Sequence, residues 1–553
     1  MRRLVLAILL LMAAQPCFAV VEIGDALNTV TLAVETPHVK WAKPLAGGPL
    51  KALVIGPRFG MRDLAELGQR LDLTWTVVMA GNSKSWEGSA RVKGCTEADA
   101  LRALDRAVKD DYDLILIGNV HWGILPKPAL YEVFKKVRDG AGLVYVPFEK
   151  TPPLLGELFE PAPAASSPQW IVDGAAIAGI ECMKGLAGPV EFAGVLGRGR
   201  VVILRWPGGP GGIHFLTPGR AATYVDYEYC QQALARACLW ACRRTPEKAL
   251  TVALPETVEM VRASQVKLAA PPGSWRMAIR DAEGELEWER EGQSGEIPWP
   301  PALKLGAHFC DLWALRDAKV ADFASRCFTV AGGVSVGEIT FDKPFVEVGE
   351  QVQGTVKLAG EGQRPAQAEV SLFDIFKQEI TRQRLKLPPG ATSFTFAFSP
   401  VVSVATKHRV RVRLLDESDA AYAEKWADLL VPTRGYADMQ VIGWAIGSGS
   451  WLTDLLAWQG RRRGFTASIF SGNLNAGIRG VPYTTSYRYT GLSRVESPCY
   501  TNPEDRRKEA EKLRDRARTH LPQGILAYSL GDENTLAVSH VDVCMSPTCQ
   551  EDF

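Results

Sequence analysis

The stretch Ala527-Tyr528-Ser529-Leu530-Gly531-Asp532-Glu533-Asn534 sets two acids directly behind a run, Ile525 to Leu530, that reads as a β-strand. A carboxylate fixed at a strand end can be held rigid, partly desolvated and aimed at a bound molecule, which is what general-acid catalysis requires. A polar turn is the other reading of Gly531 to Asn534, and on the local sequence the two stand level. Trp444, Trp451, Tyr483, Tyr487 and Tyr489 lie on or just beyond neighbouring strand-like runs. Their faces could stack on a bound ligand, Trp444 and Tyr487 being the candidates for substrate contact with Asp532 and Asn534, or they could be ordinary packing. His121, in the loop Gly118-Asn119-Val120-His121-Trp122-Gly123, has no paired nucleophile nearby and reads as structural.

The elements around the two acids alternate strand and helix beyond Pro432. Strands are expected at Met439 to Ala445, Phe465 to Phe470, Val481 to Tyr487 and Ile525 to Leu530. Asn502-Pro503-Glu504-Asp505 supplies an N-cap, a proline at the first helical position and acids in the first turn, so a helix should follow to about His520. Its Ala510, Leu513, Ala517 and Leu521 share one face while arginines and lysines fill the other, as on the outer helix of a barrel. The acids then fall on the face where such a barrel carries its active site.

Upstream the pattern differs. From Pro49 to Arg244 apolar runs alternate with helical stretches, including KALVIG (Lys51 to Gly56), YDLILI (Tyr112 to Ile117), GLVYVP (Gly142 to Pro147) and GRVVILRW (Gly199 to Trp206). A run as apolar as YDLILI must be covered on both faces and belongs to a parallel sheet, so the region reads as an open α/β sandwich closed by a helix from Tyr229 to Cys242. From Lys248 to Val330 and again from Val334 to Val431 short alternating runs recur between Pro and Gly, and two β-sandwiches in series are the economical reading.

Composition bounds the rest. The 553 residues are 46% hydrophobic and 23% charged, and 63 basic against 62 acidic residues give a formal net charge of +1. Several globular domains follow, with no field to attract nucleic acid or an anionic membrane; a neutral substrate suits this balance. Met1-Arg2-Arg3, the apolar run Leu4 to Ala14, Pro16 and Ala19 form a secretory leader cleaved after Ala19, and Gln15-Pro16 before Cys17 does not resemble a lipobox. No later stretch is apolar enough to span a bilayer. An exported protein, periplasmic or extracellular, is expected. The cysteines are irregularly spaced and most read as buried singles such as Cys238 and Cys242.

Two resemblances sharpen the expectation. GRGRVVIL and YCQQALARACLWACRR make residues 49–247 resemble the glutamine-amidotransferase-like domain that accompanies many bacterial glycosidases. An active amidotransferase would carry a nucleophilic cysteine after YDLILI, where this chain has Gly118 to Gly123, so the resemblance implies a non-catalytic packing or assembly module. The C-terminal segment resembles clan A glycoside hydrolases, with family 42, the β-galactosidases, nearest. There the acid/base glutamate follows the fourth barrel strand, a position matched by Glu533, although the usual asparagine before glutamate is replaced by Asp532-Glu533-Asn534. Val543 to Phe553 resembles the cysteine-containing stretch that follows in that family.

Such relatives can hold a structural zinc on cysteines. Cys499, Cys544 and Cys549 match three of the ligand positions and Ser546 replaces a fourth; otherwise the cysteines are free or form a disulfide. No other cofactor is implied. A retaining enzyme of this clan also needs a nucleophile about 5 Å from the acid/base, after the seventh strand. The chain ends at Phe553, so a fragment lacking its nucleophile, inactive alone, is expected.

The expected order is therefore a leader at 1–19, an extension at 20–48, the α/β domain at 49–247, β-sandwiches at 248–332 and 333–432 (the second Ig-like), and the first half of a TIM (β/α)8 barrel at 433–553. The function implied is retaining β-glycoside hydrolysis on an oligosaccharide or polysaccharide, possible as a homo-oligomer, with a non-catalytic carbohydrate-binding or assembly protein as the alternative.

Overall fold

A computed structural model describes residues 30, 32–86, 96–163, 167–186, 188–210, 213–260, 268–293, 295–300, 302–362, 365–435, 439–444, 449–469, 472–483, 499, 501–529 and 547–552. The chain divides into two compact units, one made of Met1–Glu256, Ser264–Pro300 and Ala307–Phe328, the other of Thr257–Ala263, Pro301–Gly306 and Thr329–Phe553. It is a mixed α/β and β-rich multidomain protein.

In the first unit, strands β1 (Leu50–Pro57), β2 (Leu73–Ala80), β3 (Leu114–Gly118), β4 (Gly142–Val146), β5 (Glu160–Pro161), β6 (Val190–Leu196) and β7 (Gly199–Leu204) form one sheet in the order β2-β1-β3-β4-β7-β6-β5. The first five in that order run parallel, and β6 pairs antiparallel with both β7 and β5. Alternate side chains enter two separate cores: Leu114 and Leu116 of β3 one, Ile115 and Ile117 the other. That two-sided burial is why the strand is apolar throughout. Helices α1 (Arg62–Arg70), α2 (Glu97–Ala107), α3 (Lys127–Asp139), α4 (Pro153–Leu158), α5 (Gln169–Asp173) and α6 (Tyr224–Ala241) complete the layers. Leu64 and Leu67 of α1 line the first core, while Leu104 of α2 and Val133 and Val137 of α3 line the second. Thr96 starts α2 with a capping box, its side chain and that of Asp99 each accepting the other's backbone N–H.

Helix α6 is buried on every side from Val225 to Ala241. One side meets the parallel sheet and the other meets a second sheet. Here the structure differs from the sequence reading of 248–332 as a free-standing sandwich. The region forms one sheet in the order Leu286–Gly292, Ser274–Asp281, Gly306–Arg316, Lys319–Ala331 and Thr257–Glu259, plus a short pair of Leu268–Ala269 and Glu296–Ile297. Ala278, Phe309, Trp313 and Phe323 from this sheet share a core with Tyr229 and Trp41. A sheet needs one apolar layer against it, and α6 supplies that layer in place of another sheet. The stretch 20–48 likewise is more than an extension in its described part. Val39, Trp41, Ala42 and Leu45 are buried, and Trp41 stacks on Trp313 at 5.6 Å and on Phe323 at 5.8 Å.

The second unit contains a β-sandwich. Ser335–Phe341, Val352–Ala359 and Ser393–Phe398 form a three-stranded sheet, and Glu379–Lys386, Gln367–Asp374, Lys407–Leu415 and Ala421–Leu430 a four-stranded one. Val356, Phe394 and Phe396 from the first meet Val370, Val410 and Val412 from the second.

After the sandwich the chain returns to parallel pairing. Ile442–Gly443, Ala467–Ile469 and Arg479–Val481 lie side by side in chain order, all parallel, and are shorter than their apolar runs suggest. Helix α7 (Trp451–Arg462) joins the first two, started by a capping box between Ser450 and Thr453. Helix α8 (Pro503–His520) follows, with the Asn502 side chain accepting from the Glu504 N–H at 2.9 Å. The stripe Ala510, Leu513, Ala517 and Leu521 that should face a core is uncovered among the described residues. No residue of α8 is buried, and Leu513 is 40% exposed. A six-residue helix, α9 (Pro547–Asp552), stands near the end of the chain.

Candidate functional site

Residues 524–529 join the parallel strands as a fourth neighbour. The Leu526 N–H donates to the Gly480 carbonyl at 2.9 Å, the Ser529 N–H to the Pro482 carbonyl at 3.0 Å, and Tyr483 and Ser529 form a parallel bridge. The order is sequential and every neighbour is parallel. Ser529 thus occupies the downstream end of this segment, and Asp532, Glu533 and Asn534 follow it in sequence. Those three residues, and Tyr487 and Cys544, lie outside the described residues.

One residue positions this arrangement and was not singled out from the sequence. The nearly buried Arg479 guanidinium donates to three carbonyls: Nε to Gly524 at 2.7 Å, Nη1 to Gly435 at 2.8 Å and Nη2 to Ile525 at 2.8 Å. It ties the third strand to the chain entering the fourth and to the chain leaving the sandwich. Its signal in the sequence is weak, a single arginine in the apolar-flanked run Ile478 to Val481.

Of the candidate aromatics, Trp444 follows its strand directly with 61% of its surface exposed. Trp451 opens α7 and is only half-exposed. Asp454 is buried and accepts amide N–H bonds from Asn473 at 2.7 Å and Asn475 at 2.6 Å. Burial pushes its carboxyl up despite those bonds, and the clamp marks it as a structural acid.

The structure brings Cys499 and Cys549 together, Sγ to Sγ at 3.5 Å, with the Thr501 hydroxyl oxygen 3.1 Å from the first sulfur and 3.0 Å from the second. The Thr548 hydroxyl oxygen is 3.7 Å from the Cys499 sulfur. Among the described residues no group of three His, Cys, Asp or Glu side chains could hold a metal ion. Cys544, the third candidate ligand, lies outside the described residues.

In the first unit, the C-terminal ends of β3, β4 and β7 surround a pocket of about 770 Å³ lined by His121, Trp122, Tyr145, Glu149, Thr151 and Arg205 among others. Several of its polar groups are held by bonds within or beside it. The Gly123 N–H donates to Nδ1 of His121, Glu149 pairs with Lys84 at 2.8 Å, and Arg205 pairs with Glu191 at 2.7 Å while Thr151 donates to the same carboxylate. Lys84 holds the Glu149 carboxyl below its usual range. At the turn after β3, Asn119 adopts φ +50° and its side-chain N–H donates to the His214 carbonyl. An amidotransferase nucleophile is absent from this turn.

No helix among the described residues is long and apolar enough to cross a membrane. No protein-family model and no curated protein matches the chain. Solved structures similar to parts of it include a β-glucuronidase of Ruminococcus gnavus bound to D-glucuronic acid, 10% identical, matched over 50% of this chain and 58% of that one with a TM-score of 0.18. A Bacteroides fragilis protein assigned to the β-galactosidases is 14% identical over 50% of this chain and 54% of its own, TM-score 0.20. A segment of two fibronectin type III domains from chicken tenascin is 15% identical over 30% of this chain and 91% of its own, TM-score 0.14. The chain spans little more than half the length of the two enzymes.

Proposed function

We propose that residues 433–553 are the opening half of a glycoside-hydrolase barrel related to family 42, that Glu533 is its acid/base, and that the whole protein is an exported retaining β-glycosidase. The observation that carries this reading is the sequential, all-parallel order of Ile442–Gly443, Ala467–Ile469, Arg479–Val481 and the segment ending at Ser529. A (β/α)8 barrel begins with that order, and its chemistry gathers where the strands end. The acids Asp532 and Glu533 follow the last of these strands in sequence. On this reading Glu533 protonates the departing oxygen and then activates water, Trp444 offers a stacking face, and the nucleophile lies downstream of Phe553. The α/β layer, which has no cysteine nucleophile in the turn after β3, serves packing or assembly.

The test uses protein made from the complete gene. Glu533→Gln should lower turnover of a natural β-galactoside by about 100-fold or more. It should spare an aryl glycoside with a good leaving group at the first step, and added azide should restore turnover of that substrate. Equal rates for parent and variant on both substrates would sink the assignment, and a complete gene that ends at Phe553 would leave carbohydrate binding or assembly as the function.

A further inference from the structure

We propose that Cys499 and Cys549 form a disulfide that ties the segment before α8 to the terminal helix α9. Their sulfurs stand 3.5 Å apart, within a side-chain rotation of the roughly 2.05 Å of a bonded pair. The two positions differ in access as an oxidation step requires, Cys499 being 2% exposed and Cys549 half-buried. Thr501 approaches both sulfurs and Thr548 approaches that of Cys499, offering hydroxyl donors that a thiolate can accept from. Both are hard oxygen neighbours, poor ligands for a soft metal ion beside the two sulfurs.

Oxidation runs by exchange with a small-molecule disulfide or a disulfide oxidoreductase. The Cys549 thiolate attacks one sulfur of that disulfide and expels the other as a thiolate, leaving a mixed disulfide. The Cys499 thiolate then attacks the Cys549 sulfur, forming the internal bond and expelling the second thiolate. Two electrons pass to the oxidant, and the two cysteine protons are released to solvent or to the departing thiolates.

The first unit supplies a contrast. Cys182 and Cys230 are 3.8 Å apart, but burial, with the neighbouring Cys182 and the Asp226 carboxylate adding to it, pushes the Cys230 thiol well above its usual range. The Cys230 thiolate is therefore scarce, which slows formation of a bond in this pair.

The bond closes a loop from 499 to 549 that contains Asp532, Glu533 and Asn534. The inference rests on the sulfur geometry and not on the glycosidase reading, so either can fail alone. The experiment equilibrates the purified full chain with oxidised and reduced glutathione, blocks free thiols, and maps peptides by mass spectrometry without reduction. The expected result is a Cys499 peptide joined to a Cys549 peptide, with Cys182 and Cys230 alkylated. Reductant should lower the thermal midpoint of the parent but leave Cys499→Ser and Cys549→Ser, already lowered, where they are. Alkylation of both cysteines in the oxidised sample, pairing of either with Cys544, or one equivalent of zinc bound by these thiols would overturn it.

Discussion

The guanidinium of Arg479 donates through Nε to the carbonyl of Gly524 at 2.7 Å, across 45 residues of chain. With the bonds to Gly435 and Ile525 it serves carbonyls at the junction of three segments. Arg479→Met keeps the length of the side chain and strands those oxygens. The second unit should lose about 2–4 kcal/mol, a loss of charge-assisted bonds rather than of packing. Urea unfolding should show it, and Arg479→Lys should recover part of it. An unchanged midpoint for Met would mean that water serves the carbonyls as well.

In the first unit a chain of buried charges runs from α1 to α6. Arg70 donates to both oxygens of Glu228 and to Glu66, and the Trp41 indole N–H donates to Glu228 at 2.8 Å. Burial works against the Arg70 charge and the two carboxylates outweigh it, raising its pKa. Glu228→Gln leaves that cation short of a partner and should destabilise the unit by about 3–5 kcal/mol, whereas Trp41→Phe should cost less by keeping the ring stack. Equal effects of the two substitutions in thermal unfolding would contradict this ranking.

Asp311 accepts from the Tyr229 and Ser325 hydroxyls and from Arg280, and is fully buried. Burial, opposed by those groups, pushes its carboxyl up from 3.8 to about 6. The folded state thus holds a proton that the unfolded state has lost, so this contribution is full below pH ~4 and disappears as pH rises through ~6. Its size is at most about 3 kcal/mol. Asp311→Asn should remove this fall from the stability profile between pH 4 and 7. A variant whose profile parallels the parent across that window would show that Asp311 is charged throughout.

Gly142 of β4 meets the end of α6, where a Cβ would lie 2.6 Å from the Ala241 carbonyl carbon. Backbone on both sides cannot yield cheaply, so Gly142→Ala should cost about 1–3 kcal/mol. Gly156 in α4 has open space around the same position, and its alanine variant should be neutral or stabilising by up to about 1 kcal/mol. Differential scanning calorimetry of the pair reads the difference.

Local chemistry made the elements legible and long-range partners were not. YDLILI announces a strand covered on both faces because Leu114 to Ile117 are apolar without a break, and Asn502-Pro503-Glu504 announces the start of α8 because caps act within one turn. The fate of Leu513 and Leu521 depends on what packs against α8, which its own periodicity does not contain. The sheet over α6 reads from its alternation as part of a β-sandwich at 248–332 for the same reason. Alternation shows that one face is apolar, while the covering layer comes from a helix roughly 40 to 100 residues upstream, as the sequence numbers of Tyr229, Ala278 and Phe323 show. A clue was present in the composition of YCQQALARACLWACRR, which is apolar nearly all round, as befits a helix wedged between two layers. At the candidate site the two acids were readable by type, but Arg479 draws its meaning from carbonyls whose position only the strand register decides.

The core that Trp41, Tyr229, Trp313 and Phe323 share has a consequence for heredity. Exons, transposons and recombination move stretches of chain between genes, and a piece survives the move only if it folds in its new surroundings. A breakpoint near residue 248 would separate α6 from its second sheet, and one near 49 would remove the tryptophan stacked between them. Natural relatives that gain, lose or duplicate this part of the protein should therefore do so with residues from about 32 to 328 travelling together.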